Sequence, residues 1–421
     1  MSTNPDRPSG CPLTGPGALY NPTVSPHRED PYPVFARLRQ EEPVCRSPLF
    51  NMWLISRHDD VAQMLGDPRR FTAEGAFSKL SAAFQPEAWA LLRQAHTFTA
   101  LNMLISEREH TRLRGPLSKF FAAQQIARHE PMIRRCAASL IDGLGPDGPV
   151  DLIEQFAYPF PLRVLFELVG VPVEDMAEVR RGVEAVAACM LSVVPPEQQV
   201  EAARRVLAYE RYWMDQIAQR RARPRDDLIS MLVQAVDSGE AELSPPEMVA
   251  TISANLILGG HETTVKAIGN GLYHLLTRRE HWQALIDDPG LIPGAAEELL
   301  RLDGVSLGFF RTTTEPVEVR GVTIPQGETV LLLYASANRD EGFFERPETF
   351  DPRRPNLKDH VAFGRGVHYC LGAHLARLEL RIALELLTTR LPGLRLVPDQ
   401  ELRYTSSLSL RGLEHLLATR A

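Results

Sequence analysis

Phe363-Gly364-Arg365-Gly366-Val367-His368-Tyr369-Cys370-Leu371-Gly372 carries more chemical information than any other stretch of this 421-residue chain. Gly364 and Gly366 permit backbone angles and close approaches that a side chain would forbid, so they suit a tight loop packed against something flat. Directly after the loop, Leu371, Leu375, Leu378, Ile382 and Leu386 recur at helical spacing, and the run stops near Pro392-Gly393. Cys370 therefore sits at a helix N-terminus, where unpaired N–H groups and the positive end of the dipole lower a thiol's pKa and favour thiolate. Such a thiolate serves as an attacking nucleophile or as an axial metal ligand.

The nucleophile needs a nearby histidine with an orienting partner, and the two-residue separation of His368 does not aim its ring at the sulfur. The ligand in a porphyrin site needs glycine where the ring edge meets the backbone, and cations for the propionates. The sequence supplies both. The other cysteines, Cys11, Cys45, Cys136 and Cys189, read as small buried hydrophobes. Five cysteines do not make a disulfide framework, and neither a C-x-x-C pair nor a histidine at zinc spacing is present.

Composition narrows the class. The chain has 46 basic and 53 acidic residues, a net charge of −7, with 44% hydrophobic and 24% charged residues. That is the balance of a globular enzyme, and its sign excludes the basic footprint of a nucleic-acid binder. No run approaches the ~18 apolar residues of a membrane span. The most apolar stretch, Ala185 to Val194, contains Ser192 and lies between Glu184 and Pro195. The N-terminal MSTNPDRPSGCPLTGPG is polar and lacks the apolar core of a secretory signal. The expectation is a cytoplasmic monomer with neither membrane nor nucleic-acid partners.

Residues 1–20 read as a flexible lead-in and 21–421 as a single domain, mainly α with a minor β part. A Pro-punctuated turn at Asp30-Pro31 feeds a helix through Leu38, and Trp53-Leu54-Ile55-Ser56 reads as a strand. Helical spacing dominates from Pro116 to about Arg320, with short strands at Val317 to Val319 and Thr329 to Leu333. Thr72 to Arg108 and Leu191 to Gln199 have no clean period and read as irregular connections of the kind that carry function.

A second informative stretch lies upstream. Ser244-Pro245-Pro246-Glu247 has the pattern of a helix start with a capping box. The helix continues to about Leu276, roughly 48 Å at 1.5 Å per residue, long enough to cross the molecule. In its middle, Gly259-Gly260-His261-Glu262-Thr263-Thr264 places two glycines where each costs about 1 kcal/mol relative to Ala. The alternatives are a close helix-packing contact or a local groove. A zinc-protease H-E-x-x-H is excluded because Val265 stands where the second histidine is needed.

Together these segments resemble the cytochrome P-450 superfamily. The cysteine loop is similar to its haem-binding signature, F-G-x-G-x-H-x-C-x-G, at every fixed position, and the resemblance extends over nearly the whole chain. It implies the P-450 fold enclosing haem b, with Cys370 as axial thiolate and Gly364 and Gly366 beside the ring. Gly259 to Thr264 resembles the oxygen-activation motif [AG]-G-x-[DE]-T-[TS]. There Gly259 and Gly260 open the groove, Thr263 bonds the oxygen being activated, and Glu262 relays protons. Glu298 and Arg301 resemble the E-x-x-R pair, with Arg354 as third member and Arg353 as the alternative. His110, Arg114, Arg311 and His368 match the propionate-binding cations.

The resemblance further implies a monooxygenase inserting one atom of dioxygen into a mostly apolar small molecule of secondary metabolism, a terpenoid, steroid, polyketide or aromatic compound. Asn255, Leu258, Val305, Ser306, Phe309, Ser407 and Leu408 would line its pocket, with Asn255, Ser306 and the Ser406-Ser407 pair able to orient a polar group. Neither a membrane anchor nor a fused flavin domain is expected, so a ferredoxin and ferredoxin reductase would supply electrons, docking at a basic patch of Arg112, Lys119, Arg365 and Arg377. Oxidative coupling, epoxidation or ring formation on the same fold, peroxide-driven chemistry and a haem sensor are the rival functions. One departure from the family pattern is Asp303-Gly304-Val305, where a Pro-containing turn is usual.

Overall fold

A computed structural model describes residues 15–76, 84–97, 105–145, 148–191 and 194–420. The principal core is helical. Helices Glu130–Gly143, Pro159–Val169, Gly259–Thr277, Ile292–Leu302 and Ala373–Arg390 pack their apolar faces into one cluster with Trp213, Trp282 and Phe156 fully buried. Each reads as one apolar stripe in sequence, and burying those stripes against one another supplies the main driving force for the fold.

The β part stands to one side. Five strands pair in the order Val44–Ser47, Met52–Ile55, Thr329–Leu332, Phe309–Thr313, Phe71–Thr72. The pairing of Met52–Ile55 with Thr329–Leu332 is parallel and the rest are antiparallel. Two smaller apolar clusters flank this sheet, one with Trp53, Phe71 and Tyr334, the other with Tyr20, Phe35 and Phe310. The helix expected after Asp30-Pro31 spans Tyr32–Glu41.

The lead-in ends earlier than residue 20. Pro16–Leu19 is a helical turn, Tyr20 is fully buried, and Gly17 N–H donates to Glu42 at 3.3 Å. Gly17 also lies so close to the Cys45 sulfur that a Cβ would overlap it. Residues 1–14, including Cys11, lie outside the described residues, as do parts of the two irregular connections.

The long helix is continuous but not uniform. Ser244 and Glu247 form both halves of a capping box ahead of Pro245–Ala250. Thr251–Leu258 is then π-helical, and Gly259–Thr277 is α-helical. A π turn inserts extra backbone per turn and re-aims the side chains that follow. The irregularity thus precedes Gly259 and Gly260 instead of lying at them. Among the described residues no helix is long and apolar enough to cross a membrane.

Candidate active site

The cysteine loop is closed by its own backbone. Cys370 N–H donates to Phe363 at 2.9 Å and Tyr369 N–H to Gly366 at 3.0 Å. Gly364 and Gly366 have φ of 68° and 69°, angles that L side chains rarely adopt. A Cβ on Gly366 would also lie 2.6 Å from the Leu65 carbonyl oxygen. In the Cβ direction the close approach at Gly366 is to the end of helix His58–Leu65, which by itself requires glycine at this position.

Cys370 precedes the helix Ala373–Arg390, whose N-cap is Gly372. Its thiol pKa is raised, not lowered: burial outweighs the Gly372 N–H bond and the charges of Arg114 and Arg377. The sulfur lies ahead of the first helical turn and the residue is nonetheless exposed to solvent, so neither the helix dipole nor the shift of the free thiol fixes its charge state. A bound metal cation inverts this balance, since a coordinating thiol is deprotonated outright.

Beside the loop, cations converge. His110 is buried, and its ring lies 4.1 Å from that of His368. Arg114 donates to the Val367 carbonyl at 3.0 Å, and buried Arg311 to that of Phe310 at 2.8 Å. Among the described residues neither guanidinium has a carboxylate partner. Burial, then Arg114 and Arg311, lowers His110 to about 4; burial, then Arg311, His110 and Arg114, lowers His368 to about 3. His110 Nδ1 and His368 Nε2 are buried with no hydrogen-bond partner. Uncompensated positive charge with orphaned ring nitrogens is what a bound dianion would satisfy. The two propionates of haem fit that requirement. A single thiolate also suits haem iron, which takes one ligand from that face, and no described cluster of three or more His, Cys, Asp or Glu offers another metal site.

On the long helix, Thr263 and Thr264 each donate to the carbonyl four residues back, of Gly259 and Gly260, at 2.9 Å. Gly259 is exposed although Leu256 to Leu258 and Thr264 are buried, and a Cβ there would meet only the Ala254 carbonyl, at 3.6 Å. Gly260 faces the other way, against Leu165. One glycine borders open space and the other permits helix packing, so both sequence alternatives apply, one to each. Glu262 is ion-paired to Lys266. Burial raises the Glu262 pKa, but the Lys266 charge and hydrogen bond outweigh it and the net shift is downward. The spacing Glu262 to Lys266 is the helical i,i+4 signal through which sequence reasoning could have found this lysine.

The anchoring triad is fully enclosed. Arg301 binds Glu298 through two bonds of 2.7 and 2.8 Å, and Arg354 reaches the same carboxylate at 3.1 Å. Arg301 also donates to the Asn338 and Pro347 carbonyls, which ties the triad to the loop after the sheet. Arg353 instead pairs with Asp288 at the surface, 2.9 Å away. Glu297, absent from the sequence-derived set, binds Arg377 at 2.5 Å and His360 at 3.0 Å. Burial raises its carboxyl pKa, but His360 and Arg377 hold it down to about 2. Arg377 in turn lies 4.5 Å over Phe363, at the start of the cysteine loop. The Glu297-Glu298 doublet was the available signal: neighbouring helical positions point about 100° apart and serve different partners.

Two expected pocket segments meet. Ser306 pairs with Leu410, Leu307 N–H donates to Ser409, and Arg411 N–H to Val305. Asn255 and Leu258 lie on the π-helical segment. Ser407 bonds within its own loop, accepting from the N–H groups of Ser409 and Leu410, and Ser406 donates to the Thr23 carbonyl. The two loop bonds use the acceptor lone pairs of the Ser407 hydroxyl and leave its O–H donor free. Phe309 packs on Tyr334 at 5.7 Å, on the strand face it shares with Arg311, and Leu408 packs with the Tyr20 cluster. Both contacts draw these two side chains into packing outside the helical core.

Asp303, at the departure from the family pattern, has a structural explanation. It accepts from His274 Nδ1 at 2.6 Å and Arg339 at 3.3 Å, while Asn270 donates to its carbonyl. Arg339, held by Asp303, donates to the Leu302 carbonyl at the end of helix Ile292–Leu302, so a cation caps the helix where a Pro turn is usual. The expected basic patch is largely neutralised: Arg112 pairs with Glu109 and Glu247, Lys119 with Glu240, and Arg377 with Glu297.

Comparison with known proteins decides the family. The family model described as Cytochrome P450 matches residues 291–391. Vitamin D(3) 25-hydroxylase of Pseudonocardia autotrophica is 38% identical over 93% of this chain and 94% of its own length. The chain belongs to the cytochrome P450 family. Mycinamicin IV hydroxylase/epoxidase of Micromonospora griseorubida is likewise 38% identical, over 90% of this chain and 92% of that one. Among solved structures, cytochrome P450 CREJ in complex with (4-ethylphenyl) dihydrogen phosphate superposes with a TM-score of 0.89 at 32% identity, covering 96% of this chain and all of that one. This P450 is a monooxygenase, a haem protein with the Cys370 thiolate as axial ligand.

Proposed function

We propose that this P450 inserts one atom of dioxygen into a mostly apolar small molecule, by hydroxylation, with electrons delivered by a ferredoxin and its reductase. The observations that carry the reading are an exposed Gly259 on an otherwise buried helix and, at the cysteine loop, the carboxylate-free guanidinium groups of Arg114 and Arg311 beside the orphaned ring nitrogens of His110 and His368. Relatives whose names specify a vitamin D(3) hydroxylase and a mycinamicin hydroxylase/epoxidase support a secondary-metabolite substrate of that polarity, and the second keeps epoxidation as the alternative outcome.

When bound, the haem supplies the oxidising chemistry. The chain's own residues bind, orient and move protons. His110, Arg114, Arg311 and His368 would hold the propionates, and Cys370 would ligate the iron. Gly259 would leave room for dioxygen, and Gly260 keeps the helix close-packed against Leu165. The Thr263 hydroxyl, which here donates to the Gly259 carbonyl, would turn to hold a hydrogen bond on the haem side, and Glu262 would pass protons inward, a need that an apolar site cannot otherwise meet. Glu298, Arg301 and Arg354 would keep the loop from Asn338 to Thr349 rigid on the cysteine side of the haem. Asn255, Leu258, Val305 and Ser306 line the substrate space. The chain from Gly15 onward acts as one catalytic domain in the cytoplasm, as a monomer. For the electron donor, Arg365 remains without a carboxylate partner among the described residues and offers the docking charge that the neutralised cations do not.

The test is spectroscopic. The reduced carbon-monoxide complex should show the red-shifted Soret band of a thiolate-ligated haem. Terpenoids, steroids and macrolides should then be screened for a low-to-high-spin shift, and products identified with a surrogate ferredoxin system. A spin shift without product would favour a haem sensor over an oxygenase.

A further inference from the structure

Lys266 is 5% exposed, one turn beyond Glu262 on the long helix, and its ammonium is paired with the Glu262 carboxylate. The fold makes specific room for it. A Cβ on Gly412 would overlap Cβ, Cγ and Cδ of Lys266, so only glycine admits the lysine stem at that crossing. The segment carrying Gly412 is fastened to the same helix, since Asn270 donates to the Arg411 carbonyl at 3.1 Å. The stem is therefore clamped between helix and loop, and its ammonium is directed at Glu262.

The neighbouring charges are otherwise engaged. His261 shares the helix and bonds the Tyr158 carbonyl at 3.1 Å. Arg180 lies 4.0 Å over the Tyr158 ring and is paired with Glu154 and Glu184. Among the described residues, Lys266 is the cation that balances Glu262. Removing one member of such an enclosed pair leaves the other charge uncompensated.

We propose that Lys266 is a positioning residue of proton delivery, holding Glu262 as a carboxylate in one orientation so that the acid relays protons instead of resting as a neutral carboxyl. The proposal rests on the reading of Glu262 as the relay. A proton reaching Glu262 breaks the ion pair, and its departure restores the pair, so the side chains end each cycle as they began.

The test uses the haem-loaded protein. The carboxylic-acid C=O stretch of Glu262, assigned by its absence in Glu262→Gln, is followed by infrared difference spectroscopy through a pH titration. Lys266→Met keeps an unbranched stem and removes the charge, and should raise the protonation midpoint of Glu262 by about one to three pH units. Lys266→Arg, which shares Cβ, Cγ and Cδ with lysine, should bring it back. With a surrogate ferredoxin system and NADPH, hydrogen peroxide released per NADPH should rise in Lys266→Met and return toward wild type in Lys266→Arg. If the methionine variant does not take up haem, Lys266→Gln carries the same two expectations. An unchanged midpoint and peroxide fraction in the charge-removed variant, with peroxide raised in Glu262→Gln, overturns the proposal and leaves the relay standing. Unchanged peroxide in Glu262→Gln as well overturns both.

Discussion

Replacing Asp303 with asparagine removes one charge from a buried network while preserving shape. Burial alone would raise the Asp303 pKa, but the His274 hydrogen bond, then Arg339 and Arg411, lower it from 3.8 to about 2. At about 1.36 kcal/mol per pH unit, the ionised form contributes about 2–3 kcal/mol to stability. Because the folded pKa lies below the unfolded one, this contribution is fully present above the unfolded value of 3.8 and is lost as pH falls through about 2. At neutral pH, Asp303→Asn should lower the unfolding free energy by about 2–3 kcal/mol, seen as a reduced urea midpoint with the slope preserved. The carbon-monoxide spectrum of the folded variant should be retained, since the cysteine loop and the Glu298 triad are untouched. Asp288→Asn, which breaks only the exposed pair with Arg353, is the control and should shift stability by no more than about 0.5 kcal/mol. An Asp303→Asn midpoint equal to wild type would refute the claim that this carboxylate balances Arg339 and Arg411.

Cys370→Ser should keep the helical circular dichroism but lose the thiolate signature in the reduced carbon-monoxide spectrum. Thr263→Ala should lower coupled turnover about 10²-fold and divert reductant to hydrogen peroxide, measured as peroxide per NADPH; unchanged coupling would remove Thr263 from the relay. Glu298→Gln leaves two enclosed guanidinium groups short of a charge and should destabilise by about 3–5 kcal/mol, read from denaturant unfolding or from loss of soluble protein. Burial depresses His110 and His261 from 6.5 to about 4, so the unfolded chain takes up protons first as pH falls. Stability of the haem-free protein should therefore drop between pH 6.5 and about 4, and His261→Gln should make that drop shallower in acid-unfolding curves.

Features set by neighbours along the chain are legible in the sequence. The capping box at Ser244, the helix that follows the cysteine loop, and the shared helix face of His110 and Arg114 all follow from local spacing, because helical geometry fixes which residues lie side by side. The ten-residue cysteine motif is long enough to imply the haem and the mainly helical fold. Spacing does not say what packs opposite. Only the tertiary structure selects Arg354 over Arg353 for Glu298, sets Gly366 against Leu65, and joins Ser306 to Leu410. Electrostatics depend on it most. The Asp303 network and the Lys266 partner of Glu262 depend on charges and burial that exist only once the helices have closed around the site.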